Sequence, residues 1–539
     1  MLLSGGKCVP ISSCGCQYNG RYYEPNQSWY DEKCTLLCKC DPALGMPVCQ
    51  PTSCKKSEMC MVADGKRGCY PTQYRTCIVS GDLHYTTFDK MRFNFMKTCI
   101  YQLVKVTSDD PSLVKFTMKV QNEHRGNRAV AFTKDVTLEA YNKTITVSKD
   151  TPRKIKVDGQ YTWLPYYYES TKIAAYLSGS DVVLTTDFNL KLTFDGWSHV
   201  RVVLPSTYAA AVSGLCGNNN GDPSDDFTIS NGVKANSAEE FGDHWKVGEV
   251  KGCARECTNC PKCTDAEKGT YKSDLYCGLL IKADGPFSQC HASVNPAPFF
   301  EDCLFDACAY KGHQSVVCNI LASYVSECQK NGSMVKEWRT PSFCELTCPP
   351  NSHYKLLGNG CPATCFGLIA PPSCVPSYTE GCYCDNGFIL SGEDCVPVPE
   401  CGCVFENTYY KAGQEFYADT LCQRKCTCGA NGITTCQDSP CGANAECKVV
   451  DGVLGCHPKE FGQCVAWGDP HYITPDGLYY SFQGTCAYKL IGIKKHTDFE
   501  VIVENEPYEK VAVTKSVTVR IDSYIIRLER GRGRTVLEF

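Results

Sequence analysis

The sequence predicts a multidomain, mainly β protein: an antiparallel β-sandwich with its own hydrophobic core, flanked by small disulfide-rich helical and loop-rich modules. Three observations predict it. There are 42 cysteines in 539 residues, a density typical of crosslinked scaffolds in oxidising compartments. They are unevenly spread, with none between Cys99 and Cys216, and that gap reads as alternating strands. Finally, the cysteine ladder is written twice. Cys8, Cys14 and Cys16 recur as Cys395, Cys401 and Cys403, and Cys49 through Cys99 recur as Cys436 through Cys486, each 387 residues on. Only Cys34, Cys38 and Cys40 slip by one, to Cys422, Cys426 and Cys428. So long a fixed period signifies a tandem array of multi-module units. One period and the start of the next are present, so the chain is expected to be a piece of something longer.

Residues 17–76 are cysteine-rich and loop-rich, with little to bury without crosslinks. From Cys77 the pattern changes. Val114-Lys-Phe-Thr-Met-Lys-Val120 and Thr144-Ile-Thr-Val-Ser148 alternate, and Val182-Val-Leu-Thr-Thr-Asp187 and Val200-Arg-Val-Val-Leu204 are apolar runs. Asp158-Gly159, Ser178-Gly-Ser-Asp181 and Asp195-Gly196 supply turns between them. Period-two runs joined by tight turns predict an antiparallel sandwich over residues 77–250. Residues 253–343 hold clustered cysteines and a helical run, Asn319-Ile-Leu-Ala-Ser-Tyr-Val-Ser-Glu-Cys328. The ten cysteines from Cys344 to Cys403 form a knot-like set, expected to be one module at 344–403. Residues 404–463 repeat the loop-rich module, and 464–539 restart the β domain. By the same register, residues 1–16 match the end of the knot-like module.

Net charge is −5 with both signs mixed, so no basic stripe exists to track nucleic-acid phosphates. No apolar run approaches the roughly 18 residues that span a bilayer. The N-terminal apolar stretch is too short for a signal peptide, although the cysteine content implies a secreted, extracellular chain. Asn26, Asn142 and Asn331 open Asn-x-Ser/Thr triplets, which are acceptors for N-glycosylation.

Cys464-Val-Ala-Trp-Gly-Asp-Pro-His-Tyr472 with Phe482-Gln-Gly-Thr-Cys486 resembles the opening of a von Willebrand factor type D domain. Gly214-Leu-Cys-Gly-Asn-Asn-Asn-Gly-Asp-Pro-Ser-Asp-Asp-Phe227 resembles that domain's closing loop. Tyr276-Cys-Gly-Leu-Leu280, Gly285-Pro-Phe287 and Cys290-His291 are similar to the eight-cysteine module that follows it. The knot-like set resembles a trypsin-inhibitor-like (TIL) domain, and 17–76 its extension.

Four constellations carry chemistry. Asn218, Asn220 and Asp222 alternate, with Asp225 and Asp226 following, and alternating oxygens around Gly221 can wrap a hard cation. The resemblance implies Ca2+ here, with Asp89 as a further ligand and Asp222 contributing a backbone carbonyl; Lys90 stands where glycine is usual. The bland alternative is a solvated turn. Next, Asp469-Pro470 can break by attack of the aspartyl carboxyl on its own carbonyl. Proline is the better leaving group, and His471 follows it as a residue type suited to proton transfer. The resemblance implies self-cleavage in such Gly-Asp-Pro-His segments. In the first copy the aligned segment is Gly81-Asp82-Leu83-His84, so no cleavage is expected there. Third, Cys257, Cys260 and Cys263 have the spacing of zinc or redox sites, but no histidine pair or βαβ pattern accompanies them, which favours disulfides. Last, Cys374-Val-Pro-Ser-Tyr-Thr-Glu-Gly-Cys382 matches the inhibitory loop of free-standing TIL domains.

No nucleophile–base–orienter set emerges, so no enzyme is expected. The sequence reads as a secreted structural and binding glycoprotein of mucus or extracellular matrix, stabilised by calcium. Other matrix glycoproteins are its expected partners, held by disulfides or self-association, with immunoglobulin among the candidates. A cell-surface adhesion protein and a serine protease inhibitor are the alternatives.

Overall fold

The computed structural model describes all residues except 1, 5–6, 10–14, 56, 64, 170–171, 231, 251–252, 254–262, 368–373, 375–376, 430–431, 494–498, 523, 532–535 and 539. The chain forms two compact units, residues 1–440 with 449–455, and 441–448 with 456–539.

The hub of the first unit is the predicted sandwich. One antiparallel sheet runs, edge to edge, Arg92–Asn94, His84–Thr86, Tyr74–Ser80, Val200–Pro205, Lys191–Phe194, Asp181–Thr186, Ile173–Ser178 and Tyr166–Tyr168. The other runs Gln160–Trp163, Lys154–Val157, Lys143–Ser148, Asn127–Ala140, Phe116–Arg125, Ile100–Val106 and Val212–Ser213. The alternation in Phe116–Arg125 buries Phe116, Met118 and Val120, as a two-faced strand requires. These side chains join Leu138, Ile145, Leu184, Leu192, Phe194 and Val202 in one core. Cys77–Cys216 and Cys99–Cys253 close the domain. A short helix, α1 (Ala238–His244), is capped by Ser237 and buries Phe241 against the same core.

The eight-cysteine module packs α2 (Asp265–Tyr271), α3 (Ala297–Ala309) and α4 (Gln314–Lys330). Thr264 and Glu267 form a capping box at the start of α2, satisfying two of its orphan N–H groups. Disulfides Cys263–Cys308, Cys277–Cys303, Cys290–Cys328 and Cys318–Cys344 crosslink the module. Cys257 and Cys260 lie outside the described residues, and Cys263 is a disulfide half-cystine.

The ten-cysteine set expected at 344–403 divides three ways. Cys344 bonds to the preceding module through Cys318, and Cys403 to the following one through Cys428. The TIL module keeps Cys348–Cys382, Cys361–Cys374, Cys365–Cys401 and Cys384–Cys395. Sequence spacing could not decide this, because a half-cystine belongs to the module whose backbone brings its partner within bonding reach. The loop-rich copies share connectivity: Cys16–Cys40, Cys38–Cys49 and Cys54–Cys69 answer to Cys403–Cys428, Cys426–Cys436 and Cys441–Cys456. Cys16 therefore begins the first extension rather than ending the module before it.

In the second unit Val465–Trp467, His471–Ile473 and Tyr479–Ser481 form a three-stranded sheet. A five-stranded sheet follows, Ala487–Gly492, Phe499–Tyr508, Val511–Ile521, Tyr524–Glu529 and Val536–Glu538.

Candidate functional site

The Gly-Asp-x-His turn is present in both copies, in different settings. In the first it joins Tyr74–Ser80 to His84–Thr86. Gly81 and Leu83 both adopt left-handed backbone, φ 54° and 55°. Glycine at 81 is required twice over, since a Cβ there would also meet Asp306 Oδ2 at 2.3 Å. Leucine at 83 bears a strain of about 1–2 kcal/mol, offset by complete burial of its side chain in the core.

Helix α3 covers this turn. His84 Nε2 lies 2.9 Å from Asp306 Oδ1 and Nδ1 lies 2.9 Å from Asn94 Oδ1. Asp306 Oδ2 also accepts the Asp82 N–H at 3.2 Å, and Arg92 donates to Asp302 at 2.6 Å. Burial alone would lower the His84 pKa. The Asp306 carboxylate, its hydrogen bond and Asp302 outweigh that and raise it to about 9, so His84 is an imidazolium donating from both nitrogens. Asp82 is fully buried. Burial first, and then the nearby Asp306 carboxylate, push its pKa well up.

A second buried pair lies along the same interface. Glu327 of α4 meets His199 at 3.2 Å and Arg201 at 3.3 Å. Burial would raise the Glu327 pKa, but the His199 hydrogen bond, Arg201 and Lys330 hold it at about 2.

In the second copy the turn joins Val465–Trp467 to His471–Ile473, and Asp469 is exposed. Gly468 keeps the left-handed backbone of Gly81, at φ 63°. The position after the aspartate is now proline, whose ring fixes φ near −65°. His471 Nδ1 is 2.7 Å from Ser481 Oγ and 3.1 Å from Tyr479 Oη. Ser481 occupies the position of Asn94 (94 + 387 = 481) and meets the same ring nitrogen. The Phe482 N–H donates to the Pro470 carbonyl at 3.1 Å, as Phe95 does to Leu83 at 3.3 Å. The two turns are thus aligned in space as in sequence.

In the first copy Asp89 meets the loop that holds Asn218, Asn220, Asp222, Asp225 and Asp226. Asp89 accepts the Asn220 N–H at 3.0 Å and the Gly221 N–H at 2.8 Å. The Asn218 and Asn220 amides donate to the two Asp225 oxygens at 3.0 and 2.6 Å. Asp226 is met by Asn218 N–H and by the Thr87 hydroxyl. Burial first, and then the Asp89 and Asp225 charges, raise the Asp226 pKa to about 6. Asp222 turns outward to cap Ser224 N–H. Each carboxylate is therefore answered by protein donors. Among the described residues, Asp89, Asp225 and Asp226 do not bring three oxygens within 4.8 Å of one another.

One residue that sequence reasoning missed fills the gap. Arg75 Nη1 donates to the Asn219 carbonyl at 2.6 Å, and Nε lies 3.8 Å from Asp89 Oδ1. A Cβ at Gly221 would meet its Nη2 at 2.8 Å. A calcium ion on Asp89 would sit against this guanidinium, so the residues present in the first copy do not fit the ion. Lys90, at φ 78°, occupies a left-handed position that Gly477 takes at φ 83°. The signal for Arg75 was in the register: its counterpart is Gly462 (75 + 387 = 462).

The TIL loop is engaged by its neighbours. Residues 375–376 lie outside the described set, but Tyr378–Cys384 forms a strand against Ser352–Asn359. Arg339 holds both Glu380 oxygens, at 2.9 and 3.2 Å. Cys361 and Cys374 pack on Tyr176 and Val183 of the sandwich. Asn26 and Asn142 lie exposed in turns, while Asn331 is exposed but its amide caps α4 at the Glu327 carbonyl, 2.8 Å away.

Comparison with known families agrees with these modules. A von Willebrand factor type D domain matches residues 77–233 and 464–538, a C8 domain 276–345, a trypsin-inhibitor-like cysteine-rich domain 348–401, and a TILa domain 15–70 and 402–457. The chain belongs to the family of type D, C8 and TIL repeat proteins. It is similar to IgGFc-binding protein of Homo sapiens, 42% identical over 99% of this chain and 10% of that protein. It is also similar to zonadhesin of Homo sapiens, 35% identical over 98% of this chain and 19% of the relative. Alpha-tectorin of Mus musculus is 34% identical over 88% of this chain and 22% of its own length. The chain thus spans less than a quarter of these relatives.

Proposed function

We propose that the chain is a segment of a secreted structural and binding glycoprotein of mucus or extracellular matrix, acting as a rigid, repeated strut. The observation that supports this most is how the first type D domain is clamped. The C8 module closes on it through His84–Asp306 and Arg201–Glu327, and the TIL module through the Tyr176, Val183, Cys361 and Cys374 cluster. The following extension adds Trp163 to Gln414 at 3.2 Å. Disulfides within each module and buried ion pairs between modules suit a mechanical element, and repetition of such elements confers avidity. Among the described residues no helix is long and apolar enough to cross a membrane.

In the second type D segment, the bond between exposed Asp469 and buried Pro470 is the site of self-cleavage. Asp476, the counterpart of Asp89 with Gly477 in place of Lys90 and Gly462 in place of Arg75, is the calcium ligand that the second type D segment contributes. Partners are other matrix glycoproteins; the name of one relative makes immunoglobulin G a specific candidate.

The test is surface binding of the chain, singly and as coupled multimers, to mucin, matrix glycoproteins and immunoglobulin G. Binding that strengthens with copy number supports the strut reading. No binding to any of them, together with stoichiometric inhibition of a serine protease, would sink it.

A further inference from the structure

The peptide carbonyl of Asp469, the group attacked when the Asp469–Pro470 bond breaks, has a dedicated donor. Gln483 Nε2 lies 2.8 Å from it. The side-chain amide is oriented from its other end, because Gln483 Oε1 accepts the Ala512 N–H at 2.9 Å. An amide whose oxygen is committed to a backbone N–H must present its NH2 to the carbonyl, so the assignment follows from the hydrogen-bond network itself. Ala512 is buried and paired with Pro507 within the five-stranded sheet. The donor is thereby tied to regular structure rather than to a free loop.

The other copy supplies the comparison. Position 483 corresponds to Met96 (96 + 387 = 483), and 470 to Leu83. The backbone hydrogen bonds next to the turn are kept in both copies, from Phe482 to Pro470 and from Phe95 to Leu83. The Met96 side chain has no N–H to give. The first copy thus lacks both the proline and the donor, while its turn geometry is otherwise retained.

We propose that Gln483 is a catalytic residue of self-cleavage at Asp469-Pro470; the inference rests on the cleavage reading given above. An Asp469 carboxyl oxygen bonds to the Asp469 carbonyl carbon, and negative charge gathers on the carbonyl oxygen. Gln483 Nε2–H meets that oxygen and stabilises the charge as it forms, as donors aimed at a developing oxyanion do. The C–N bond then breaks, and the carboxyl proton passes to the Pro470 nitrogen, which leaves as the new secondary amine. The cyclic anhydride left on Asp469 is opened by water, or by an amine to give an amide.

The experiment uses the full chain purified uncleaved, with wild type, Gln483→Met, Gln483→Glu and Pro470→Leu followed on denaturing reducing gels. N-terminal sequencing of the smaller fragment identifies the bond, and thermal melts report folding. Wild type is expected to yield a fragment beginning at Pro470. Gln483→Met, the residue of the first copy, should slow its appearance at least about tenfold, in the direction and below the ceiling seen for loss of one oxyanion donor. Gln483→Glu keeps the Ala512 contact but loses the N–H, so it should slow cleavage with little change in melting. Equal rates in wild type and Gln483→Glu, with both folded, overturn the role of Gln483 while leaving cleavage standing. No Pro470 fragment from wild type across pH 4–8 overturns the cleavage reading and this inference together.

Discussion

The two Gly-Asp-x-His turns share sequence, register and a backbone hydrogen bond, yet one is a clamp and the other is open. In the first, His84 lies under α3 with Asp306, and Asp82 is fully buried beneath it. In the second, Asp469 faces solvent and His471 hydrogen-bonds to the hydroxyls of Ser481 and Tyr479. The same divergence recurs at each neighbouring position. Arg75, Leu83, Lys90 and Met96 of the first copy stand against Gly462, Pro470, Gly477 and Gln483 of the second. The difference teaches that a motif's chemistry depends on what covers it. An aspartate fully buried beneath a helix becomes structure, whereas an exposed one beside a proline and a fixed amide keeps a reactive geometry.

The comparison can be broken most directly at the clamp. Asp306→Ala leaves the His84 imidazolium buried without its partner, and loss of one member of a buried pair costs about 3–5 kcal/mol. His471→Ala removes only a half-exposed hydrogen bond, worth about 1 kcal/mol. Denaturant unfolding of both variants is expected to show this order, and equal effects would dissolve the distinction.

The turn itself gives the next largest effect. Leu83 sits at φ 55°, which a proline ring cannot adopt. Leu83→Pro should therefore destabilise the first domain by more than about 1 kcal/mol and should not yield a new terminus at residue 83. Cleavage there after this single change would mean that the leaving group, not the covering helix and backbone, separates the copies.

The charge on His84 predicts a pH dependence with a definite sign. Its pKa rises from 6.5 unfolded to about 9 folded, so folding takes up a proton between those values. The contribution is complete below about pH 6.5 and is lost as pH climbs through about 9. Unfolding free energy should fall between pH 7 and 10 in wild type, with a shallower slope in His84→Asn. An unchanged slope would remove His84 as the cause.

The smallest expected effect is that of calcium. With Arg75 against Asp89, the first domain should melt at the same temperature with calcium as with a chelator. Arg75→Gly, which restores the residue of the second copy, should acquire a calcium-dependent rise in Tm, since a ligand that binds only the folded state stabilises it. A calcium-dependent melt in wild type would show that the ion and the guanidinium coexist.

Sequence by itself determined a good deal. The alternation around Val114–Val120 gave a strand of the sandwich, the repeat placed the module order, and Leu83 against Pro470 was visible once the two ladders were laid in register. Gly81, Gly468 and Gly477 are legible too, because left-handed backbone favours glycine. Tertiary structure decided the rest. Asp306 lies 222 residues beyond His84, and Asn219 lies 144 beyond Arg75, and no local spacing relates them. Cys344 and Cys403 went to the modules on either side of the one expected, because a disulfide forms only where backbone geometry brings the sulfurs together. Burial likewise set the state of Asp82 and His84, since a pKa depends on solvent and charge in three dimensions and not on neighbours in the chain.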